Sequence, residues 1–362
     1  MLKEISYSIL FLLFAGNLIS QNAIGNNIIL EDGYERVVNI GLTAKIPDNE
    51  LVPIINDKKE VIKNINTTID PPKINDVRQN PQQIIDLELI PNNPIKQLET
   101  TYDKRFDLSG ITLFNDRVYV IADKEWDNHI YRLDTGATSF KVISVRELCI
   151  DYATDFEGID RCDGKFYLID ESRNNVYMGE MISCDLVQIP VAWEKLNIDR
   201  STWGNKGLEG LAYDCEKKLL YLGKEREPRR IFLINLTNNE ISEPFADIIN
   251  SDEVGYDIGD MKYENGNLYI LERGRGLVTR IDTKTKQFFS VSYQQIVLKN
   301  KQRLYNNSSY KFGMAEALML TEDQIWIGLD NNGDEVSDYG KSIGLKPGNK
   351  PVIFIFKRPQ GF

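Results

Sequence analysis

Histidine is almost missing from this chain: His129 stands alone in 362 residues. A Ser-His-Asp hydrolase would have to use that ring, yet no GxSxG elbow accompanies it, and its setting in DNHIYRLD reads as an exposed or turn position. Cysteine is scarce too. Cys149, Cys162, Cys184 and Cys215 contain no CxxC pair, and with a single His they exclude a zinc cluster, leaving one or two disulfides or buried free thiols. Positive charge is outnumbered, with 43 Lys and Arg against 54 Asp and Glu and a net charge of -11. Nothing here would track phosphates along a strand, so a nucleic-acid partner is excluded, whereas cations are welcome. Long apolar runs are absent after the N-terminus, which excludes a later membrane span. The glycine pair of GRG at Gly274–Gly276 has no helix after it and reads as a turn rather than a dinucleotide motif.

The exception is MLKEISYSILFLLFAGNLISQN, whose apolar core from about Ile9 to Ile19 is short for a bilayer and sits where a secretory signal belongs, although Glu4 is out of place there. Residues 1–20 are read as a cleaved signal peptide, with a buried or anchoring helix as the alternative. The expected destination is outside the cytoplasm, whether periplasm, cell surface or medium. Residues 21–83 are rich in Asn, Asp, Lys and Pro, carry no sustained periodicity, and read as an extension or linker, partly disordered.

From Ile84 to Phe362 one phrase recurs five times. It runs LSGITLFNDRVYVIADKE from Leu108, FEGIDRCDGKFYLIDES from Phe156, LEGLAYDCEKKLLYLGKER from Leu208, IGDMKYENGNLYILERG from Ile258 and AEALMLTEDQIWIGLDNNG from Ala315. Aligning Tyr119, Tyr167, Tyr221, Tyr269 and Trp326 puts a period of about 50 residues on short β-branched and aromatic strands with Asn, Asp and Gly turns, the pattern of an all-β β-propeller of four-stranded blades. The count is five blades, or six if a degenerate blade lies in residues 22–83. The last blade has three strands, so the N-terminal strand near Ile84 is expected to complete it and close the ring.

In such a blade the first strand lines the channel and the second runs back antiparallel, so the start of one and the end of the other share a rim. The starts carry Ser109, Glu157, Glu209, Asp260 and Glu316; the ends carry Asp123, Glu171, Glu225, Glu272 and Asp330. Nine carboxylates at one mouth repel, by about 4 kcal/mol for a pair ~4 Å apart at an effective dielectric of 20. Lys124, Arg173, Lys224, Arg226 and Arg273 lie beside them, and calcium, which accepts six to eight oxygens without strict geometry, suits the remainder. DNNGD, from Asp330 to Asp334 with Asn331 and Asn332, is the strand end richest in oxygen ligands. The competing account is inherited turn chemistry, with the acids capping backbone amides of neighbouring blades.

The phrases SG-apolar, EGI, EGLAYD, ERG and EAL ending in LDNNGD resemble the phytase-like (esterase-like) family of exported propellers, with the SdiA-regulated propellers a close neighbour. That resemblance, from about Leu108 to Phe356, implies a calcium-dependent phosphoester hydrolase or a relative of one. In the enzymatic reading Glu157, Glu209 and Glu316 act as bases or metal ligands and Arg173, Lys224, Arg226, Arg273 and Asn331 hold a small anionic or phosphorylated ligand. Asp123, Glu171, Glu225, Asp260, Glu272, Asp330 and Asn332 hold Ca2+. In the alternative the mouth only binds a ligand or surface polymer and the calcium is structural. The same strand directions place Cys162, Cys184 and Cys215 at the bottom and Cys149 at the top, so a Cys162–Cys184 disulfide with Cys149 unpaired is expected, unless all four are reduced.

Overall fold

A computed structural model describes residues 51–55, 61–66, 84–100, 105–124, 128–136, 139–180, 183–249, 256–306 and 310–362. The signal peptide and most of the extension lie outside the described residues. The chain divides into two units, residues 1–79 and 80–362. In the first, β1 (Leu51–Ile55) and β2 (Val61–Asn66) form an antiparallel hairpin.

The second unit is all-β. It opens with β3 (Ile85–Asp86) and β4 (Ile95–Thr100), followed by the first repeat, β5 (Leu108–Phe114), β6 (Arg117–Ala122), β7 (His129–Thr135) and β8 (Phe140–Glu147). The second repeat is β9 (Phe156–Cys162), β10 (Lys165–Asp170), β11 (Asn175–Glu180) and β12 (Leu186–Ile189). The third is β13 (Leu208–Asp214), β14 (Leu219–Lys224), β15 (Arg230–Asn235) and β16 (Glu240–Ser242), and the fourth β17 (Ile258–Glu264), β18 (Asn267–Glu272), β19 (Leu277–Asp282) and β20 (Phe288–Ser292). After a small hairpin of β21 (Leu298–Lys299) and β22 (Gln302–Arg303) come β23 (Met314–Leu320), β24 (Gln324–Asp330) and β25 (Val352–Lys357).

Within each repeat the strands pair antiparallel in sequence order. First hairpins close through residues that tolerate the left-handed region: Asn115 and Asp116 at φ 48° and 57°, Asp163 and Gly164 at 47° and 79°, Asn265 and Gly266 at 50° and 81°. Two such residues make the turn whose twist matches the strands it joins. The first strands pack in a cycle, β5 on β9, β9 on β13, β13 on β17, β17 on β23 and β23 on β5. Apolar clusters fill the spaces between successive sheets. Tyr119, Ile121, Phe156 and Ile159 meet between the first and second repeats, and Leu108, Ile111, Ala317 and Met319 between the first and last.

The ring closes ten residues later than expected. β4, not the strand at Ile84, pairs antiparallel with β25, and it continues parallel to β8, joining the last repeat to the first. β3 instead adds parallel to the outer edge of β20, and the residues after it meet β25 in one bridge, Leu89 to Phe356, with bonds from the Ile90 amide to the Ile355 carbonyl at 3.1 Å and from the Lys357 amide to the Glu88 carbonyl at 2.7 Å. Burial explains the choice: Leu98 on β4 is completely buried between two sheets, whereas Ile84 and Ile85 remain 49% and 42% exposed.

Both disulfides also differ from expectation. Cys149 bonds Cys184 and Cys162 bonds Cys215, leaving no cysteine free among the described residues. The second bond joins the first-hairpin turns of adjacent repeats, since β9 packs on β13. The first bond fails the top-and-bottom assignment because that assignment treats a blade as flat. Strands in a sheet rotate by roughly 20–25° per step, so the far end of β11 is swung well away from the direction of β9. The connection after β8 lies against that swung face: Leu148 packs with Phe166, Leu168 and Tyr177, and the Cys149 amide donates to the Cys184 carbonyl at 2.9 Å. The two disulfides enclose separations of 35 and 53 residues. In the chain-entropy account each is worth roughly 4 kcal/mol. Peptide mapping without reduction is expected to return these two linkages, and reduction to lower the thermal midpoint; recovery of Cys162 linked to Cys184 would refute the pairing.

Candidate functional site

One extra residue in each first strand builds the mouth. The register between first and second strands slips once in every repeat, leaving Ser109, Glu157, Glu209, Gly259 and Glu316 without a ladder partner. A bulge of this kind re-aims a side chain and is common beside functional sites. Across from it lies the residue that ends or follows each second strand, Asp123, Glu171, Glu225 and Arg273 just past theirs and Asp330 the last of β24. In the first three repeats its amide donates to the carbonyl of the residue before the first strand, from Asp123 to Asp107 at 3.2 Å, Glu171 to Asp155 at 2.8 Å and Glu225 to Gly207 at 2.8 Å.

Seven of the nine acids expected at the mouth are therefore there. Asp260 and Glu272 are not, because in the fourth repeat the acids stand one residue out of the register that Tyr269 sets, and Gly259 and Arg273 hold the ring positions. Asp260 accepts from the Met261 and Leu318 amides at 2.7 and 2.8 Å and pairs with Lys262. Glu272 is held by Arg229, Thr279 and Arg275. Three acids escaped the sequence reading: Asp107, Asp155 and Asp257, each immediately before a first strand. Their signal was an Asp preceding the phrase in three of five repeats.

Arg273 sits at the centre. Its guanidinium bonds Glu225 and Glu316, donates Nε to Asp257 at 2.9 Å and lies 3.8 Å from Glu209, with the Tyr310 ring 4.8 Å away. It is 2% exposed and fully committed to acids. Arg226 bonds Glu225, the Tyr310 hydroxyl at 2.9 Å and the Asn205 carbonyl at 3.1 Å. Lys224 points the other way along its strand, into the Arg226 and Glu227 carbonyls and toward Trp203. Arg173 reaches the Ala153 carbonyl at 2.6 Å and stacks 4.0 Å from Tyr152 at the exposed rim. On the opposite side Lys124 pairs with Asp107 at 2.7 Å and Asp123 at 2.8 Å, and Arg105 pairs with Asp107.

The DNNGD turn satisfies much of itself. The Asn332 amide donates to Asp330 at 2.6 Å, and the Asn332 side-chain oxygen accepts from Arg105 at 2.7 Å. One oxygen each of Asp330 and Asn331 is left buried without a hydrogen-bond partner. Ser109, the one hydroxyl of the ring, donates to the Phe156 carbonyl. His129 is half-buried as the first residue of β7, its ring 5.7 Å from Tyr131. Backbone capping does occur, since Glu171 accepts from the Gly207 amide at 2.7 Å. Below the acids Lys262, on β17, donates to the Ile159 carbonyl of β9 at 3.1 Å. Those strands are not neighbours in the cycle, so the lysine crosses the channel and gives the mouth a floor.

Two sets of carboxylates are close enough to share a cation, Asp123 with Asp155 and Glu157, and Glu171 with Glu209 and Glu225, each with oxygens within 4.8 Å of one another. Asp123 in the first set and both Glu209 and Glu225 in the second have an oxygen buried without a hydrogen-bond partner, and the second set is the more deeply buried and so the better fit to an ion. Glu209 and Glu225 are only 7% and 1% exposed.

Residues 91–303, more than half of the chain, match the family described as SdiA-regulated. The chain belongs to that family. Of the two resemblances drawn from the repeats, the match bears out the SdiA-regulated one and not the phytase-like label. Among solved structures this SdiA-regulated chain is similar to a gluconolactonase of Xanthomonas campestris, at 11% identity over 69% of this chain and 72% of that one, with a TM-score of 0.40. It is similar to a PQQ-bound aldose sugar dehydrogenase of Streptomyces coelicolor at 12% identity, over 73% of this chain and 98% of that one, TM-score 0.37. A Bacteroides thetaiotaomicron protein of unknown function aligns at 13% identity over 72% of this chain and 63% of its own, TM-score 0.41. No activity is carried over from these.

Burial dominates the electrostatics. It pushes the Glu225 carboxyl up to about 8 despite Arg273 and Arg226, and Asp155 up to about 7, with Asp123 and Glu171 adding repulsion. Glu157 and Glu209 are held well above the usual carboxylate range, by burial first and then by their acidic neighbours. Such acids carry protons in the folded chain that they lack when unfolded, so their contribution to stability is complete below the ordinary carboxylate pKa and lost as pH rises through the raised values. In chelator the thermal midpoint is expected to fall between pH 5 and pH 8. Excess calcium, which competes with those protons, is expected to flatten the fall. A chelated protein equally stable at both pH values would contradict the burial of ionisable acids described above.

Proposed function

We propose that this chain is a five-bladed propeller whose mouth binds a divalent cation of the calcium type through Glu171, Glu209 and Glu225, and that it acts as an exported hydrolase-like protein on a small anionic or phosphorylated ligand. The observation that carries the reading is a charge imbalance. Asp107, Asp123, Asp155, Glu157, Glu171, Glu209, Glu225, Asp257, Glu316 and Asp330 form one interacting set, against which stand Arg105, Lys124, Arg226 and Arg273. Protons neutralise part of that excess, and a hard cation with flexible oxygen coordination neutralises it without them. An ion bound there would supply Lewis-acid polarisation of a ligand oxygen. Around it Glu157, whose carboxyl burial and its acidic neighbours hold above the usual carboxylate range, is the group assigned to proton transfer, and Arg226 and Arg173 offer cations toward the open rim.

The binding-module reading keeps one specific support: Ser109, Lys224 and Arg273 are already occupied with backbone or acids. Two measurements separate the readings. Calcium at a hundredfold excess over its Kd is expected to add about 2.7 kcal/mol of stability relative to chelator, and Glu209→Gln to remove most of that gain. Coincident midpoints in calcium and chelator would end the metal reading. Hydrolysis of a generic phosphodiester is expected only with the ion present, and Glu157→Gln is expected to slow it on the order of a hundredfold or more. Calcium binding without any turnover would leave the ligand-binding propeller.

A further inference from the structure

The fourth repeat departs from the ring pattern at both of its positions. Where Glu157, Glu209 and Glu316 stand in other repeats it has Gly259, and where Asp123, Glu171, Glu225 and Asp330 stand it has Arg273. The glycine is a steric necessity, since a Cβ there would lie 2.2 Å from the Ala315 carbonyl oxygen. No side chain fits the bulge, and the ring is left with a gap. Arg273 fills it, bonding Glu225 of the third repeat, Glu316 of the fifth and Asp257 of its own. Glu209 and Glu225 belong both to this cluster and to the Glu171 trio. Glu316 shares one feature with Glu209 and Glu225, an oxygen buried without a hydrogen-bond partner. On one side of Glu209 and Glu225 the acids close into a trio with Glu171, and on the other a guanidinium gathers Asp257 and Glu316 instead.

We propose that Arg273 is a built-in cation standing in the place of a second divalent ion, and that its charge excludes an additional ion from the Glu209, Asp257 and Glu316 sector. For the first ion this rests on the reading that the trio binds a divalent cation. The guanidinium pairs with Glu225, Asp257 and Glu316 at once and supplies them the positive charge that an ion would otherwise bring. It holds them in place before any ion arrives, which leaves the trio as the open cation position.

The test is the calcium content of the full chain at saturation, measured by equilibrium dialysis for wild type, Arg273→Gln and Arg273→Lys. Arg273→Gln is expected to bind one more calcium ion per chain than wild type, and its thermal midpoint to depend more steeply on calcium. Arg273→Lys, which keeps the charge, is expected to match the wild-type stoichiometry. A folded Arg273→Gln protein with wild-type stoichiometry overturns the proposal. Should that variant not fold even in millimolar calcium, the Lys variant decides, because a gain of an ion with the charge retained also overturns it. If wild type binds no calcium but Arg273→Gln binds one, the trio reading fails while the role assigned to Arg273 stands.

Discussion

The arrangement of the mouth depends on one buried guanidinium among carboxylates. Removing charges from water costs several kcal/mol per ion, recovered only where geometry is good and the remaining donors are satisfied. Arg273 meets that condition by distributing its donors over three acids from three successive repeats, with the Tyr310 ring against its face. Other polar contacts tie those repeats in pairs, the Ile258 amide on the Glu225 carbonyl, Arg229 on Glu272 and the Leu318 amide on Asp260, whereas the arginine ties the rims of all three at once. Cross-links between pairs of repeats recur elsewhere in the ring. Ser109 reaches the Phe156 carbonyl, Glu171 the Gly207 amide, and Asp160 the Tyr213 amide.

Much of this was legible in the sequence, and the reason is local. A two-strand phrase with a turn such as ND, DG or NG sets its own register, and the register sets which residues reach the rim. Seven acids and the family neighbourhood follow from that phrase alone. What misled was acid identity in the fourth repeat: Asp260 and Glu272 stand one residue away from the ring positions, which are held by Gly259 and Arg273, while Asp107, Asp155 and Asp257 enter from connections the phrase did not include. Identity of charge was a poorer guide than distance from the second-strand aromatic, since four residues past Tyr119, Tyr167, Tyr221, Tyr269 and Trp326 stand Asp123, Glu171, Glu225, Arg273 and Asp330.

The outer strands were least legible, for a geometric reason. Twist accumulates outward from the channel, so inferences about ends hold for first and second strands and decay by the third and fourth. The Cys149–Cys184 bond lies in that outer region, whereas Cys162–Cys215 joins first-hairpin turns, where the directions remain reliable. The linkage through Cys149 therefore leaves the position of the acidic mouth untouched. Closure by β4 has the same origin. Two short strands of similar composition, IIDLELI and IKQLET, compete for one slot, and only packing of Leu98 between sheets distinguishes them.

Charge is segregated around the ring, and this bears on what the mouth can hold. The first, second, third and fifth repeats place acids at the strand-end positions, while the fourth places Arg273 there and Lys262 beneath, the latter reaching across to the second repeat. Positive charge thus enters from one side and from the floor. A cation proposed for Glu171, Glu209 and Glu225 would sit beside that arginine rather than across from it, and Glu225 keeps an oxygen without a hydrogen-bond partner. With the floor closed by Lys262, anything that follows such an ion into the mouth meets it from the open face, past Arg226 and Tyr310. An anion approaching that way passes two groups able to donate to it before it reaches the acids, which is the order of encounter an acidic cup needs if it is to accept one at all.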